Sequence, residues 1–378
     1  MARFNLGGVL RIAVGVAIGV GAFLLYWRVT GRAQLSSISL PPGFSISWYT
    51  REVPNARSLT LGPDGTVFVG TRSEGSVFAV ADVDRDGAAD SVYTIATDLS
   101  LPNGVAFNGG DLYVAEMHRI IKFSAIEGRL SSPPNPTVIY EGLPDRVHHG
   151  SRFMGFGPEG SLYVAVGAPC NVCQSDDERI GSIIRMDSEG NNVEVFASGI
   201  RNSVGFDFEP NTGHLWFTDN GRDFLGDDSP PDELNRAVVP GINFGFPFCH
   251  GGDVADPEFG GDASCVDFEA PVARLDAHVA SLGMRFYTGN RFPAKFHGAV
   301  FIAEHGSWNR TVPVGYRITT VKMDSTGNVS YQPFAEGWLK GRRAWGRPVD
   351  VLAMPDGSLL VSDDQQGVIY RVDYSGGN

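Results

Sequence analysis

The chain has 378 residues, 42% of them hydrophobic and 19% charged, with 48 Gly, 23 Pro and 24 Phe. This composition leans to β-structure and is too poor in charge for long amphipathic helices. The formal net charge of −13 excludes binders of nucleic acid or anionic lipid that work through basic patches, and it suits a neutral substrate or a cation.

The chain opens on an apolar run without charge, Ile12 to Trp27, preceded by Arg3 and Arg11 and followed by Arg28 and Arg32. The run is short for a membrane-spanning helix, which needs about 20 residues, and long for the apolar region of a signal peptide. Gly31 and Ala33 stand at −3 and −1 of a candidate cleavage point, with Arg32 between them. Residues 1–33 therefore read as a hydrophobic helix that is either a signal peptide or a membrane anchor; a buried core helix is the bland alternative. Either membrane reading exports the remainder to the periplasm and confines membrane contact to residues 8–27. The anchor reading ties the protein to the inner membrane.

Beyond this segment the chain repeats itself. Six times a Gly-rich turn precedes a short hydrophobic strand, at 62–70, 108–116, 157–167, 210–221, 296–306 and 355–364. A further strand follows most copies (76–80, 119–123, 182–186, 316–321, 368–372), and another apolar stretch precedes each turn, as at 103–107 and 204–208. Three or four short strands per repeat, six times over, predict an all-β six-bladed β-propeller spanning 40–376. F-S-I-S-W-Y-T (44–50) has no turn of its own and is expected to close the ring as the outer strand of the last blade. The interval between the fourth and fifth copies is long, which predicts a blade-loop insertion at about 222–294.

D-V-D-R-D-G-A-A-D (82–90) places Asp82, Asp84, Asp86 and Asp90 in an alternating pattern. Such carboxylates wrap a hard cation, so the segment reads either as a structural Ca²⁺ loop or as a solvated acidic turn; Tyr93 in place of a twelfth-position Glu rules out an EF-hand. The four cysteines, Cys170, Cys173, Cys249 and Cys265, read as disulfides in an exported protein. Cys170–Cys173 with Cys249–Cys265 is the local choice among three pairings, and a zinc site is the sharper alternative because Cys-x-x-Cys is a zinc half-motif.

Polar residues at the strand ends ring the channel of a propeller. Arg57, Asn103, His149, Arg201, Asn202 and Arg347 fall just before inner strands; Glu116, Asp219, Asn220, Glu304, His305 and Asp363 fall just after the next ones. Three of these stretches, V-H-H-G-S-R-F-M-G-F-G-P-E-G-S-L-Y-V-A-V-G, G-I-R-N-S-V-G-F-D-F-E-P-N-T-G-H-L-W-F-T-D-N-G-R-D and G-S-W-N-R-T-V-P-V-G-Y-R, resemble the pyrroloquinoline quinone (PQQ) dependent sugar dehydrogenases. The sorbosone dehydrogenase-like branch is closer than the soluble glucose dehydrogenase branch, and the resemblance covers roughly residues 40 to 374.

This resemblance implies an oxidoreductase that passes hydride from a sugar or sugar aldehyde to the quinone and hands electrons to a quinone or soluble acceptor. It implies His149 as the general base, with His148 one residue out of register. A hydroxyl proton near neutral pH suits imidazole. It implies Arg201, Asn202, Asn220 and Arg347 at the cofactor, with His305 also there, where the glucose branch has a Lys that contacts the quinone, and the carbonyls of Gly221 and Arg222 as ligands of its Ca²⁺. Arg222 also departs from the Pro of that branch. Two rival readings remain. A metal-dependent gluconolactonase-like lactonase would place Asn103 and Asp219 around a central cation, and a non-catalytic propeller binding module would need no charged channel.

Overall fold

A computed structural model of the protein describes residues 34–376, and the apolar segment read as a signal or anchor helix lies outside them. Among the described residues no helix is long and apolar enough to cross a membrane. The chain divides into Met1–Ser39 and Leu40–Asn378. In the described part of the first unit, the Ser37 hydroxyl and amide both donate to the Gln34 carbonyl and close a turn.

The second unit is the six-bladed propeller that the repeats predict. Blade 1 consists of Leu59–Leu61, Val67–Val69, Val77–Ala81 and Ser91–Ala96, and blade 2 of Gly104–Asn108, Asp111–Ala115, Ile120–Phe123 and Thr137–Tyr140. Blade 3 takes Met154–Phe156, Leu162–Val166, Ser182–Met186 and Glu194–Ser198; blade 4 takes Phe206–Phe208, Leu215–Asp219, Glu233–Ala237 and Ala273–Arg274. Blade 5 is Ser281–Phe286, Val300–Glu304, Arg317–Met323 and Val329–Glu336. Blade 6 is Pro348–Ala353, Leu359–Asp363 and Val368–Tyr374, closed by Phe44–Thr50 from the other end of the chain. First strands of successive blades lie side by side, and that of blade 6 returns to blade 1, so the six enclose a channel.

The turns explain why the repeat is legible. In blades 1, 3 and 6 the N–H of Gly62, Gly157 and Met354 donates to the carbonyl of Thr66, Ser161 and Ser358, at 2.8, 2.8 and 2.9 Å. Inside each loop Gly65, Gly160 and Gly357 adopt φ of +93°, +86° and +84°, where a Cβ would be strained. The strands between turns are buried on both faces. Leu162, Val164 and Val166 pack with Tyr113 and Ile120 of blade 2, whereas Tyr163 and Ala165 pack with Phe206 and Phe217 of blade 4. Period-two alternation therefore separates two apolar interfaces, and the strand reads as one continuous apolar run.

The interval 222–294 contains the third and outer strands of blade 4 and the inner strand of blade 5. Only 238–272 leaves the blades. There Ile242–Asn243 joins blade 3 as a fifth strand, parallel to Glu194–Ser198, and Cys249–His250 pairs with Val254–Ala255. The Cys249–Cys265 disulfide closes this excursion, and Cys170–Cys173 closes the hairpin after the second strand of blade 3. The local pairing holds, and with no free cysteine the zinc alternative has no thiolate to use.

Candidate active site

Inner strands begin and second strands end at the same rim of the channel, and the candidate residues gather there in two groups. The first surrounds Ala168. His149 precedes the inner strand of blade 3 with φ of 51°, and its Nδ1 lies 2.8 Å from the Ala168 carbonyl. A carbonyl only accepts, so Nδ1 carries the proton and Nε2 is left as an acceptor, without a protein partner among the described residues. The Ala168 N–H donates to the Arg201 carbonyl at 2.8 Å, tying the two loops together. A Cβ on Gly167 would sit 2.6 Å from the His149 Cβ and 2.9 Å from Asn202 Oδ1, so only glycine lets these two residues converge. Burial first, then the charges of Arg201 and His148, lower the His149 imidazole to about 2, so it is neutral. The exposed His148 stands edge-on to it at 4.1 Å between ring centroids.

Arg201 and Asn202 are aimed by one carboxylate: Asp219 accepts both backbone N–H groups, at 2.8 and 2.6 Å. The Arg201 guanidinium is almost fully engaged. Its Nε donates to the Asn171 carbonyl at 2.8 Å, Nη2 to Asn171 Oδ1 at 2.9 Å and Asp223 at 3.1 Å, and Nη1 to the Asn220 carbonyl at 3.2 Å. One Nη1 hydrogen remains, and the Asn202 side-chain amide has no partner among the described residues. Asn220 turns its side-chain amide to the Ser281 carbonyl at 2.7 Å. The Gly221 and Arg222 carbonyls accept no hydrogen bond among the described residues. The Arg222 side chain is buried against Asp256 and Glu258, where it anchors the excursion, so only its carbonyl is open to a ligand.

The second group spans the other side of the rim. Arg347 Nη2 donates to His305 Nδ1 at 2.8 Å. Because guanidinium cannot accept, His305 carries its proton on Nε2 and donates to Asp364, 3.0 Å from each carboxylate oxygen. Asp364 also accepts from Arg57 at 2.7 Å, Arg57 Nε donates to Asn103 Oδ1 at 2.7 Å, and Asn103 Nδ2 donates to the Arg152 carbonyl at 2.7 Å. Arg152 Nη1 completes the belt at the His149 carbonyl, 3.4 Å away. Burial lowers His305 to about 4 despite Asp364, while burial opposes the Asp364 charge but is outweighed by His305, Arg57 and Arg347, which hold it low.

His305 thus spends both ring nitrogens on protein and props Arg347, whose buried Nε has no partner. The exposed Arg72 acts electrostatically on His148, His149 and Arg57, so its charge is felt by both groups. At the outer edge Phe224 and Trp308, 71% and 72% exposed, form an edge-to-face pair held by the Asn309–Asp223 hydrogen bond at 2.7 Å. The acidic loop 82–90 is not part of this rim; it lies at the end where the Pro-Asp-Gly turns are.

Sequence reasoning missed Asn171, Asp223 and Asp364, the residues that hold the named cations. Asn171 sits between two disulfide-bonded cysteines and Asp364 doubles the Asp of a strand end, which are the signals that point to them.

One rim of the six-bladed propeller thus carries a neutral histidine, spare guanidinium donors and unbonded carbonyls. The family description "Glucose / Sorbosone dehydrogenase" matches residues 52–371, and the chain belongs to that family. It is 34% identical over 354 residues to an uncharacterized protein of Borreliella burgdorferi, covering 90% of this chain and 91% of that one. A pyrroloquinoline quinone-dependent pyranose dehydrogenase of Coprinopsis cinerea is 28% identical over 123 residues, 27% of this chain and 16% of that protein. Among solved structures, a calcium structure of a Trichoderma reesei carbohydrate-active enzyme of family AA12 superposes with a TM-score of 0.78, at 21% identity, over 89% of this chain and 97% of that one. The holo PQQ domain of the Coprinopsis cinerea pyranose dehydrogenase gives 0.77, at 18% identity, over 89% and 97%. At these identities the superpositions establish the fold.

Proposed function

We propose that the protein is an exported quinoprotein that oxidises a sugar or sugar aldehyde at a CH–OH group, with PQQ and Ca²⁺ held at the rim described above. The carrying observation is the neutral His149 with an open Nε2, beside donors that no protein group satisfies. An anionic, planar ligand fits that set: Arg347 offers a buried Nε and Nη1, Arg201 one N–H, and Asn202 a free amide. The open Gly221 and Arg222 carbonyls suit a hard cation. When bound, PQQ would supply the two-electron acceptor and Ca²⁺ the Lewis acid that polarises it.

The chain's own residues do the rest. Ala168 orients the imidazole through Nδ1, and Nε2 takes the substrate hydroxyl proton. Burial first, then the Arg201 charge, depress the basicity of His149, and an anionic ligand beside Arg201 opposes the second of these. A membrane quinone or a soluble carrier would accept the electrons. Disulfides at all four cysteines support an oxidising compartment such as the periplasm, with or without an inner-membrane anchor.

The lactonase reading is disfavoured because its ligands are spent. Asn103 is fully buried and bonded to Arg57, Ser58 and Arg152, and Asp219 is occupied by two backbone amides. A binding module of the kind that an uncharged channel would favour is disfavoured by the charged rim. The test is reconstitution of purified protein with PQQ and Ca²⁺, read by the cofactor absorbance and by sugar-dependent dye reduction. Binding with reduction is expected and should vanish on chelation; protein that takes up no PQQ, or reduces dye without metal, overturns the proposal.

A further inference from the structure

We propose that the 82–90 loop is a Ca²⁺ site, separate from the rim, that pins the seam where the propeller closes. The loop joins the third and outer strands of blade 1, and ligand oxygens of Asp82, Asp84 and Asp86 lie within 4.8 Å of one another. Its backbone is already wound for a ligand. Asp82 Oδ2 accepts from Gly87 N–H at 3.0 Å, Asp84 Oδ1 from Asp86 N–H at 3.1 Å, and Asp86 Oδ1 from Ala88 N–H at 2.8 Å. Asp90 Oδ2 accepts from Val83 and Asp84 N–H at 2.6 and 3.3 Å. Each carboxylate therefore spends one oxygen on the loop and leaves the other without a hydrogen bond. Gly87, at φ +92°, makes the bend. Three like charges this close repel unless a cation neutralises them.

Two orphan oxygens point to a ligand. Asp82 Oδ1 is shielded from solvent and has no partner, and the Oη of Tyr49, a residue only 2% exposed, has none either. Both residues line one cleft of about 380 Å³, and Asp82 is the charge that acts most strongly on the Tyr49 phenol. A phenol and a carboxylate that border one cleft without reaching each other need a bridging group. A cation on Asp82, Asp84 and Asp86 that keeps part of its water shell supplies it, one coordinated water donating to Tyr49. The basic residue facing the loop, Arg371, donates to Asp356 and Asp373 through Nη2 and reaches neither Asp82 Oδ1 nor Tyr49 Oη, so it does not fill this role. Several flexible oxygen ligands with room for water favour Ca²⁺ over the smaller, octahedral Mg²⁺.

The position gives the site its purpose. Tyr49 belongs to the closing strand of blade 6, its carbonyl accepts from Ala89 N–H of the loop at 2.8 Å, and Gly87 lies against the Arg371 side chain of the same blade. A cation here ties blade 1 to the strand that closes the ring.

The test uses full-length protein free of PQQ, so that it does not depend on the cofactor reading. Calorimetric titration with Ca²⁺, tyrosine-sensitised Tb³⁺ luminescence and thermal melts compare wild type with the Asp84→Asn, Asp86→Asn double variant. Wild type is expected to bind one Ca²⁺ that the double variant loses or holds at least tenfold more weakly, and to gain a Ca²⁺-dependent rise in Tm that the variant lacks. Tyr49→Phe should retain Ca²⁺ within a few fold and dim the Tb³⁺ signal. With PQQ and saturating Ca²⁺ the double variant should reduce dye as wild type does, which separates this site from the rim. Wild type that binds no Ca²⁺ below about 1 mM, or a double variant indistinguishable from it in binding and melting, overturns the proposal.

Discussion

At the residue scale, a backbone turn decides which of two adjacent histidines can act. His149, in the left-handed region, turns its ring onto the Ala168 carbonyl and leaves Nε2 open, whereas His148 remains exposed beside it. His149→Ala is expected to lower kcat by about 10²–10⁴, the usual cost of removing a general base, while PQQ binding stays near normal. His148→Ala should keep most of its turnover. Steady-state dye reduction and cofactor titration on both variants decide the matter; a dead His148→Ala beside an active His149→Ala would move the base by one residue.

At the element scale, the strand ends of blades 6, 5, 1, 2 and 3 are linked by the belt from Arg347 through His305, Asp364, Arg57 and Asn103 to Arg152. Burial within the belt, helped by Arg347 and Arg57 and opposed by Asp364, holds His305 neutral, at about 4 in the fold against 6.5 when unfolded. Between these values the unfolded chain binds a proton that the fold refuses, so this residue's contribution to stability is lost as pH falls from about 6.5 toward 4. His305→Gln removes that linkage. The fall in unfolding free energy from pH 6 to 4.5 should become shallower by up to one proton, about 1.4 kcal/mol per pH unit. Denaturant titrations across that window measure it, and an unchanged slope would mean that His305 is not held neutral.

At the scale of the whole molecule, closure depends on Phe44–Thr50, which pairs with Val368–Tyr374 and covers what would be an open edge. Phe44 also inserts between blades 5 and 6, with ring centroids 4.7, 5.5 and 5.0 Å from Phe292, Phe296 and Phe334. A fully buried Phe→Ala change costs about 3–5 kcal/mol, and Phe44 is only partly buried, so Phe44→Ala should cost roughly 2 kcal/mol. The loss should appear in the denaturant midpoint with PQQ-free and PQQ-loaded protein alike. An unchanged midpoint would show that the closing strand is held by its backbone pairing alone.

The sequence by itself determined the blade number and the closing strand, because each rests on local chemistry, while the structure chose the local one of three possible disulfide pairings. Left-handed glycines punctuate the chain, and strands buried on both faces read as apolar runs. It also brought His149, Arg201, Asn202 and Arg347 to one rim, since strand-end positions follow from the repeat. What it did not carry is who holds whom. Asp364 reaches Arg57 from the far end of the chain, and Asn171 reaches Arg201 across a disulfide hairpin. The excursion from 238 to 272 lends a strand to a neighbouring blade. Such partners are chosen by ring closure, which sets distant loops side by side, and hydrogen bonds between them leave no periodic trace in the chain.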